Sequence, residues 1–328
     1  PARKVLFTEH HQSHAAATFL AAPTRDAAIL TADGVGEWAT LSLGRGTVHE
    51  DGSTELRMLR EIHFPHSLGM LYSTFTAWLG FPVNEGEYKV MGLASYGRPV
   101  FADEVRRVLR RTPDGGFSLD LSYFDYHLSA RTSYSRKFVD VFGAPRDPWD
   151  AIDLESETGR HYADVACSVQ RVLEDTLVDL ARRLYQETGL SDLCLGGGVA
   201  LNGCANARML RESGFSRVLV PSAPGDAGCA LGAALCADRI HFGNPALPVP
   251  TIPSGDRKRS RSSCLAWPPK TGSLPSGTAT RRCSRAWPMR SAPDRSSRGS
   301  RENANSARAR WATAASWPRR GTRRCATS

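Results

Sequence analysis

An α/β fold is what this sequence of 328 residues predicts, and three observations predict it. A strand, a Gly-containing turn and a helix follow one another twice, first from Leu193 to Arg211 and then from Arg217 to Ile240. A long amphipathic helix precedes them, with Val165, Val169, Val172, Leu173, Leu177, Leu180 and Leu184 recurring at three and four. Near the start, the apolar run from Ala28 stops at Asp33-Gly34, an acid at a strand end beside a glycine, where α/β folds place their ligands.

The elements follow in order. Pro1 to Phe7 reads as a short strand, and the Ala, Phe and Leu content of Gln12 to Ala22 as a helix. With Gly34-Val35-Gly36 as the turn, Ala28 to Leu43 reads as a β-hairpin. His63 to Gly69 introduces an apolar helix over Leu68–Leu79, and Asn84 to Ala94 reads as a polar loop. Residues 101–150 mix helix and loop around the turn Pro113-Asp114-Gly115-Gly116. The long helix, His161 to Glu187, stops at Gly189, and the strand Leu193–Leu195 runs into Gly196 to Asn202. The strand Arg217–Val220 leads to Gly225-Asp226 and the helix Ala230–Ile240.

Chemistry concentrates in a few of these places. His10 and His14, four apart, share one face if their segment is helical, and Asp33 at the next strand tip can meet them. With Asp226 they make a nitrogen-and-oxygen ligand set suited to a divalent metal, against the plainer reading of surface histidines and turn aspartates. Glu85, Glu87 and Lys89 read equally well as a polar substrate site or a solvated loop. Backbone amides near Gly197, Gly198, Gly225 and Gly228 suit a nucleotide phosphate at a helix start, although close helix–strand packing also demands glycine.

The net charge of +9 hides two regions. Residues 251–328 hold 18 Lys and Arg against 3 Asp and Glu, which leaves the remainder at −6. That basic segment has four tryptophans but no Val, Phe or Tyr, and reads as a disordered tail. Binding nucleic acid by charge and stacking is one explanation. A second fits better: suitable codons for Asn305 to Trp317, shifted by one base, read Glu-Phe-Gly-Pro-Arg-Ala-Leu-Gly-Asn-Arg-Ser-Ile-Leu, which makes the tail an ordinary domain read out of frame. The eight cysteines show no zinc-type pairing and read as reduced residues of a cytoplasmic protein, with no signal peptide or membrane-spanning run.

The stretches His10–Ala15, Thr31–Thr40, Phe64–Leu71, Gly86–Ala94, Cys194–Asn202 and Gly225–Leu235 together resemble, in order, the nodulation-type and antibiotic-biosynthesis O-carbamoyltransferases. The resemblance implies an actin-like ATPase (ribonuclease H-like) domain, related to the tRNA threonylcarbamoyl transferases and here partial over 1–250. It implies a YrdC-like second domain, replaced here by the tail 251–328, that makes carbamoyl-adenylate from carbamoyl phosphate and ATP. The first domain then passes the carbamoyl group to a hydroxyl of a small-molecule acceptor such as a sugar or secondary metabolite. Carried over, His10, His14, Asp33 and Asp226 would hold iron(II) or a similar ion. Gly197, Gly198, Asn202, Gly225 and Gly228 would cradle the adenylate, and Glu85, Glu87 and Lys89 would face the acceptor. Asp226, Asp33 and Lys89 are the candidate catalytic groups. The resemblance also implies an N-terminal segment that this sequence does not contain. Two alternatives stay open: a tRNA threonylcarbamoyl transferase relative, which the acidic body argues against, and an inactive nucleotide- or metal-binding fragment.

Overall fold

The computed structural model describes residues 5–245. Three strands, β1 (Asp26–Ala32), β2 (Ala39–Val48) and β3 (Thr54–His63), form an antiparallel meander. A separate small hairpin joins β4 (Leu109–Arg111) to β5 (Phe117–Leu119) across the expected turn. The main sheet then continues with β6 (Asp192–Gly196) and β7 (Arg217–Leu219), both parallel to β1. Its order is β3–β2–β1–β6–β7, so β1 is central and six of its seven residues are buried.

Because side chains alternate along a strand, β1 feeds two cores. Ala27 and Ile29 face α1 (His10–Phe19), meeting Ala15, Phe19 and Cys194. Ala28, Leu30 and Ala32 face the larger core built on α2 (Leu68–Trp78) and α6 (Glu157–Thr188). Between these two helices come α3 (Glu87–Ala94), α4 (Ala102–Val108) and α5 (Arg136–Phe142); α7 (Gly203–Glu212) and α8 (Cys229–Leu235) follow the two parallel strands. The 32-residue α6 is capped by Ser156, whose hydroxyl accepts the Gly159 N–H at 3.0 Å, and it ends at Gly189 in the left-handed conformation (φ 65°).

Both strand–turn–helix units appear where the sequence places them, and the hairpin does too, with longer strands. Four expectations need correcting. The first helix begins at His10 and ends at Phe19, because the Glu37 carboxylate of the β1–β2 turn accepts the His10 N–H at 3.0 and 3.2 Å and holds its N-terminus. The sequence does not announce the strand β3: TELRMLREIH carries four charged residues and forms an edge strand with no fully buried residue. The polar loop at Asn84–Ala94 is helical from Glu87 onward, where Val90, Leu93 and Ala94 are buried. Val5, Leu6 and Phe7 form no strand, and Phe7 is 91% exposed. Segment 251–328, expected to be disordered, lies outside the described residues.

A candidate metal centre beside a pocket

Two ends of chain meet above the sheet. Thr31 pairs with Ser42 on one side and with Gly196 on the other, so Asp33 emerges beside the glycine turn that follows β6. One of its oxygens, Oδ1, accepts the N–H groups of Gly34 (2.8 Å) and Gly198 (3.0 Å). The other, Oδ2, faces the histidines of α1. From below, Ser67, the N-cap of α2, donates its hydroxyl to the Asp33 and Gly34 carbonyls while accepting the Met70 N–H. Two backbone amides and a helix cap thus fix where Asp33 points.

The helical spacing puts His10 and His14 on one face, and their Nε2 atoms lie 2.9 Å apart. Asp33 Oδ2 is 2.9 Å from His10 Nε2 and 3.1 Å from His14 Nε2. Asp226 opens α8 from the turn after β7 and brings Oδ1 to 3.4 and 3.5 Å from the same two nitrogens. These separations suit the donor set to a cation. Bonds of about 2.0–2.2 Å place neighbouring ligands roughly 3.0 Å apart in an octahedron and roughly 3.4 Å apart in a tetrahedron. Two imidazole nitrogens facing one another beside a carboxylate otherwise need a shared proton.

The electrostatics favour an anionic Asp33, while a proton on His10 would compete with a metal for Nε2. The Asp33 hydrogen bond raises the His10 pKa, although burial opposes it. Burial alone would raise Asp33, but hydrogen bonds from His10, His14 and the Gly34 N–H hold it well below the usual carboxylate range. Asp33 therefore stays an anion, as a ligand must.

A pocket of about 630 Å³ opens beside these groups, lined by Asp33 and Asp226, by Gly198, Asn202 and Gly225, and by Glu85 and Glu87. Seven of the residues singled out in the sequence therefore share one wall system. Glu87 is tied at one oxygen, Oε1, by the Ser73 hydroxyl (2.8 Å) and the Asn84 N–H (3.0 Å). Lys89 is not brought there: it is exposed on α3, with its ammonium 5.7 Å from the Phe81 ring centre. The glycines act mainly through what they lack. The Gly197 N–H donates to the Pro224 carbonyl and the Gly198 N–H to Asp33, so neither amide is spare for a phosphate. Gly197 takes φ 87°, and a side chain there would run into Ala32. Gly228 is buried against the Ala223 carbonyl.

The sequence did not point to several residues in and around the pocket wall. Tyr72 on α2 donates to Gln170 on α6 at 2.8 Å, and Gln170 exchanges hydrogen bonds with Asn202 at 2.9 and 3.0 Å. Asn202 also caps α7, accepting the Ala205 N–H at 3.1 Å. Burial pushes the Tyr72 phenol far above its ordinary pKa, so it remains a donor. Cys229 was equally silent, yet its sulfur lies 3.5 Å from His14 Nδ1. Donor atoms of His10, His14, Asp226 and Cys229 all fall within 4.8 Å of one another.

An α/β domain with a His–His–Asp–Asp cluster beside a pocket is the class that fold and site define. Residues 2–235 match the carbamoyltransferase N-terminus family, and the chain belongs to it. An uncharacterized protein of Synechocystis sp. is 49% identical over 232 residues, covering 70% of this chain and 36% of that protein. Nodulation protein NolNO of Sinorhizobium fredii is 33% identical over 235 residues, covering 71% and 31%. Nodulation protein NolO of Bradyrhizobium diazoefficiens is 31% identical over 245 residues, covering 72% and 39%. The chain thus spans about a third of the length of these relatives. Among solved structures, HypF of T. kodakarensis aligns with a TM-score of 0.38 at 17% identity, covering 73% of this chain and 37% of that one.

Proposed function

We propose that this domain is the transfer half of an O-carbamoyltransferase. In this reading it takes a carbamoyl group from carbamoyl-adenylate, itself made from carbamoyl phosphate and ATP, and passes it to a hydroxyl of a small-molecule acceptor such as a sugar or secondary metabolite. One observation carries the reading: the two histidines and two aspartates converge beside a pocket that Asp33, Asp226, Ser73, Glu85 and Glu87 help to line. A pocket of about 630 Å³ falls in the range that holds a nucleotide-sized ligand. Family membership supports carbamoyl transfer as the chemistry.

His10 and His14 through Nε2, Asp33 through Oδ2 and Asp226 through Oδ1 would hold iron(II) or a similar ion. When bound, such an ion supplies Lewis-acid stabilisation of charge on a carbonyl or phosphate oxygen. The rest falls to the chain. The acceptor hydroxyl gives its proton to a carboxylate, its oxygen forms a bond to the carbamoyl carbon, and the bond from that carbon to the phosphate oxygen breaks, releasing AMP. Asp33 is a poor base here, because Oδ1 already accepts two amide hydrogens and Oδ2 faces the histidines. Asp226 suits the role better: its side chain is 77% exposed, and only Oδ1 approaches the histidines. We place the protein in the cytoplasm, on the five described cysteines being free thiols. No helix among the described residues is long and apolar enough to cross a membrane.

The test supplies the purified chain with iron(II), synthetic carbamoyl-adenylate and a panel of sugar and aminocyclitol alcohols. AMP release matched by a carbamate ester in the mass spectrum is expected, and the pair His10→Ala with His14→Ala should abolish both. AMP release no faster than spontaneous hydrolysis with every acceptor, in a sample that binds the metal, would reduce the domain to a binding module.

A further inference from the structure

We infer that Cys229 is a positioning residue for the metal centre: its sulfur accepts the Nδ1–H of His14 and thereby turns the Nε2 lone pair of His14 toward the ion. The inference rests on the metal-binding reading given above and adds a residue to it.

The argument begins with the ring of His14. An imidazole that binds an ion through one nitrogen carries its proton on the other, and the partner of that N–H sets both tautomer and ring angle. His14 Nε2 is the atom that meets His10, Asp33 and Asp226. Nδ1 therefore needs an acceptor in a site where His14 is 1% exposed and cannot turn to water. Among the described residues, the polar atom recorded against Nδ1 is Cys229 Sγ at 3.5 Å, a normal length for a hydrogen bond to sulfur.

The fold shows how the sulfur gets there. Cys229, Gly232 and Cys236 lie at three- and four-residue spacing on α8 and the turn that continues it, so they share the face laid on α1. A side chain at Gly232 would collide with the Ser13 carbonyl, so glycine is what lets the two helices approach. One turn along, Cys236 Sγ reaches the Gln12 carbonyl at 3.9 Å. The same close approach that seats α8 on α1 delivers Cys229 to the far side of His14 from the converging nitrogens.

The experiment compares the whole chain with Cys229→Ala and Cys229→Ser. Calorimetric titration with zinc should show an affinity about 10- to 100-fold weaker in Cys229→Ala, the usual cost of deleting such a partner. Cys229→Ser, which keeps an acceptor, should recover most of it. Long-range nitrogen-15 spectra of the zinc-bound proteins should show the His14 Nδ1–H protected from solvent exchange in the wild type and Cys229→Ser, and exchanging faster in Cys229→Ala. Equal zinc affinity in all three, no recovery in Cys229→Ser, or equal Nδ1–H protection in Cys229→Ala would each overturn the inference. So would a thiolate-to-metal charge-transfer band in the cobalt(II) protein, which would make Cys229 a direct ligand. A wild-type chain that binds no metal sinks the parent reading and this inference with it, whereas wild-type binding that Cys229→Ala leaves unchanged sinks the inference alone.

Discussion

At the scale of single residues, His11 illustrates how a polar group beside the site is held neutral. Its ring is 3% exposed; Nδ1 sits 2.8 Å from the Ser42 hydroxyl and 3.0 Å from that of Thr31, while buried Nε2 has no hydrogen-bond partner. Burial lowers its pKa from 6.5 to about 4. The unfolded chain takes up a proton near pH 6.5, whereas the folded chain resists until about 4, so stability falls as the pH drops through that window. The deficit at pH 4.5 relative to pH 7.5 is roughly 2–3 kcal/mol. Urea unfolding at those two pH values should show it, and His11→Gln, which cannot titrate, should lose that much less. Parallel pH slopes in both proteins would remove the assignment. His10 and His14 were legible at this scale because helical spacing alone puts them together, and Asp33 because a strand end beside glycine is conspicuous. Lys89 was misplaced for a related reason: a charged residue next to two acids looks like part of their site, but on α3 it lies exposed, away from the pocket wall. Cys229 and Gln170 gave no signal at all, since each reads as one more residue of a helix and acquires its role only from a partner far away in sequence.

Among elements, the contact between α2 and the turn after β1 governs the aspartate. A methyl group added at Gly69 would stand 2.5 Å from the Asp33 carbonyl oxygen and 2.6 Å from the Gly34 nitrogen, both backbone atoms that cannot swing aside. Replacing a helical glycine by alanine ordinarily gains up to about 1 kcal/mol, but overpacking of this kind costs about 1–3 kcal/mol. Gly69→Ala should therefore be destabilised by about 1–2 kcal/mol in chemical denaturation, with weaker metal binding because Asp33 moves. A variant as stable as the wild type with unchanged affinity would mean that α2 slides without disturbing the turn. The elements that sequence reading caught, α2, α6 and both strand–turn–helix units, are those whose apolar periodicity is long or punctuated by glycine. The missed ones are short or sit at an edge. In β3 the half-exposed pattern is broken by a register shift near Leu43 and Gly44, so strict alternation never appears. In α3 the glycines at 86 and 92 suggested a loop, whereas Gly86 caps the helix and Gly92 lies within it.

For the molecule as a whole, the site draws on three widely separated stretches of sequence. His14 and Cys229 meet across 215 residues, and Asp33 and Gly198 across 165. A ribosome-bound chain that has not yet emerged through α8 contains His10, His14 and Asp33 but lacks Asp226, so the full ion cage cannot form in the early steps. Contacts that close such long loops are entropically costly and form late. An ion whose full cage needs those late contacts stabilises the native state more than the transition state. It then acts on unfolding rather than on folding. Stopped-flow measurements should find that zinc or iron(II) slows unfolding at least tenfold while the refolding rate stays within a factor of two. Acceleration of refolding by the metal would place the cage in the folding nucleus. If the expected pattern holds, the ion is a latch fitted after the walls are up, and newly made protein passes through a metal-free native state before it can work.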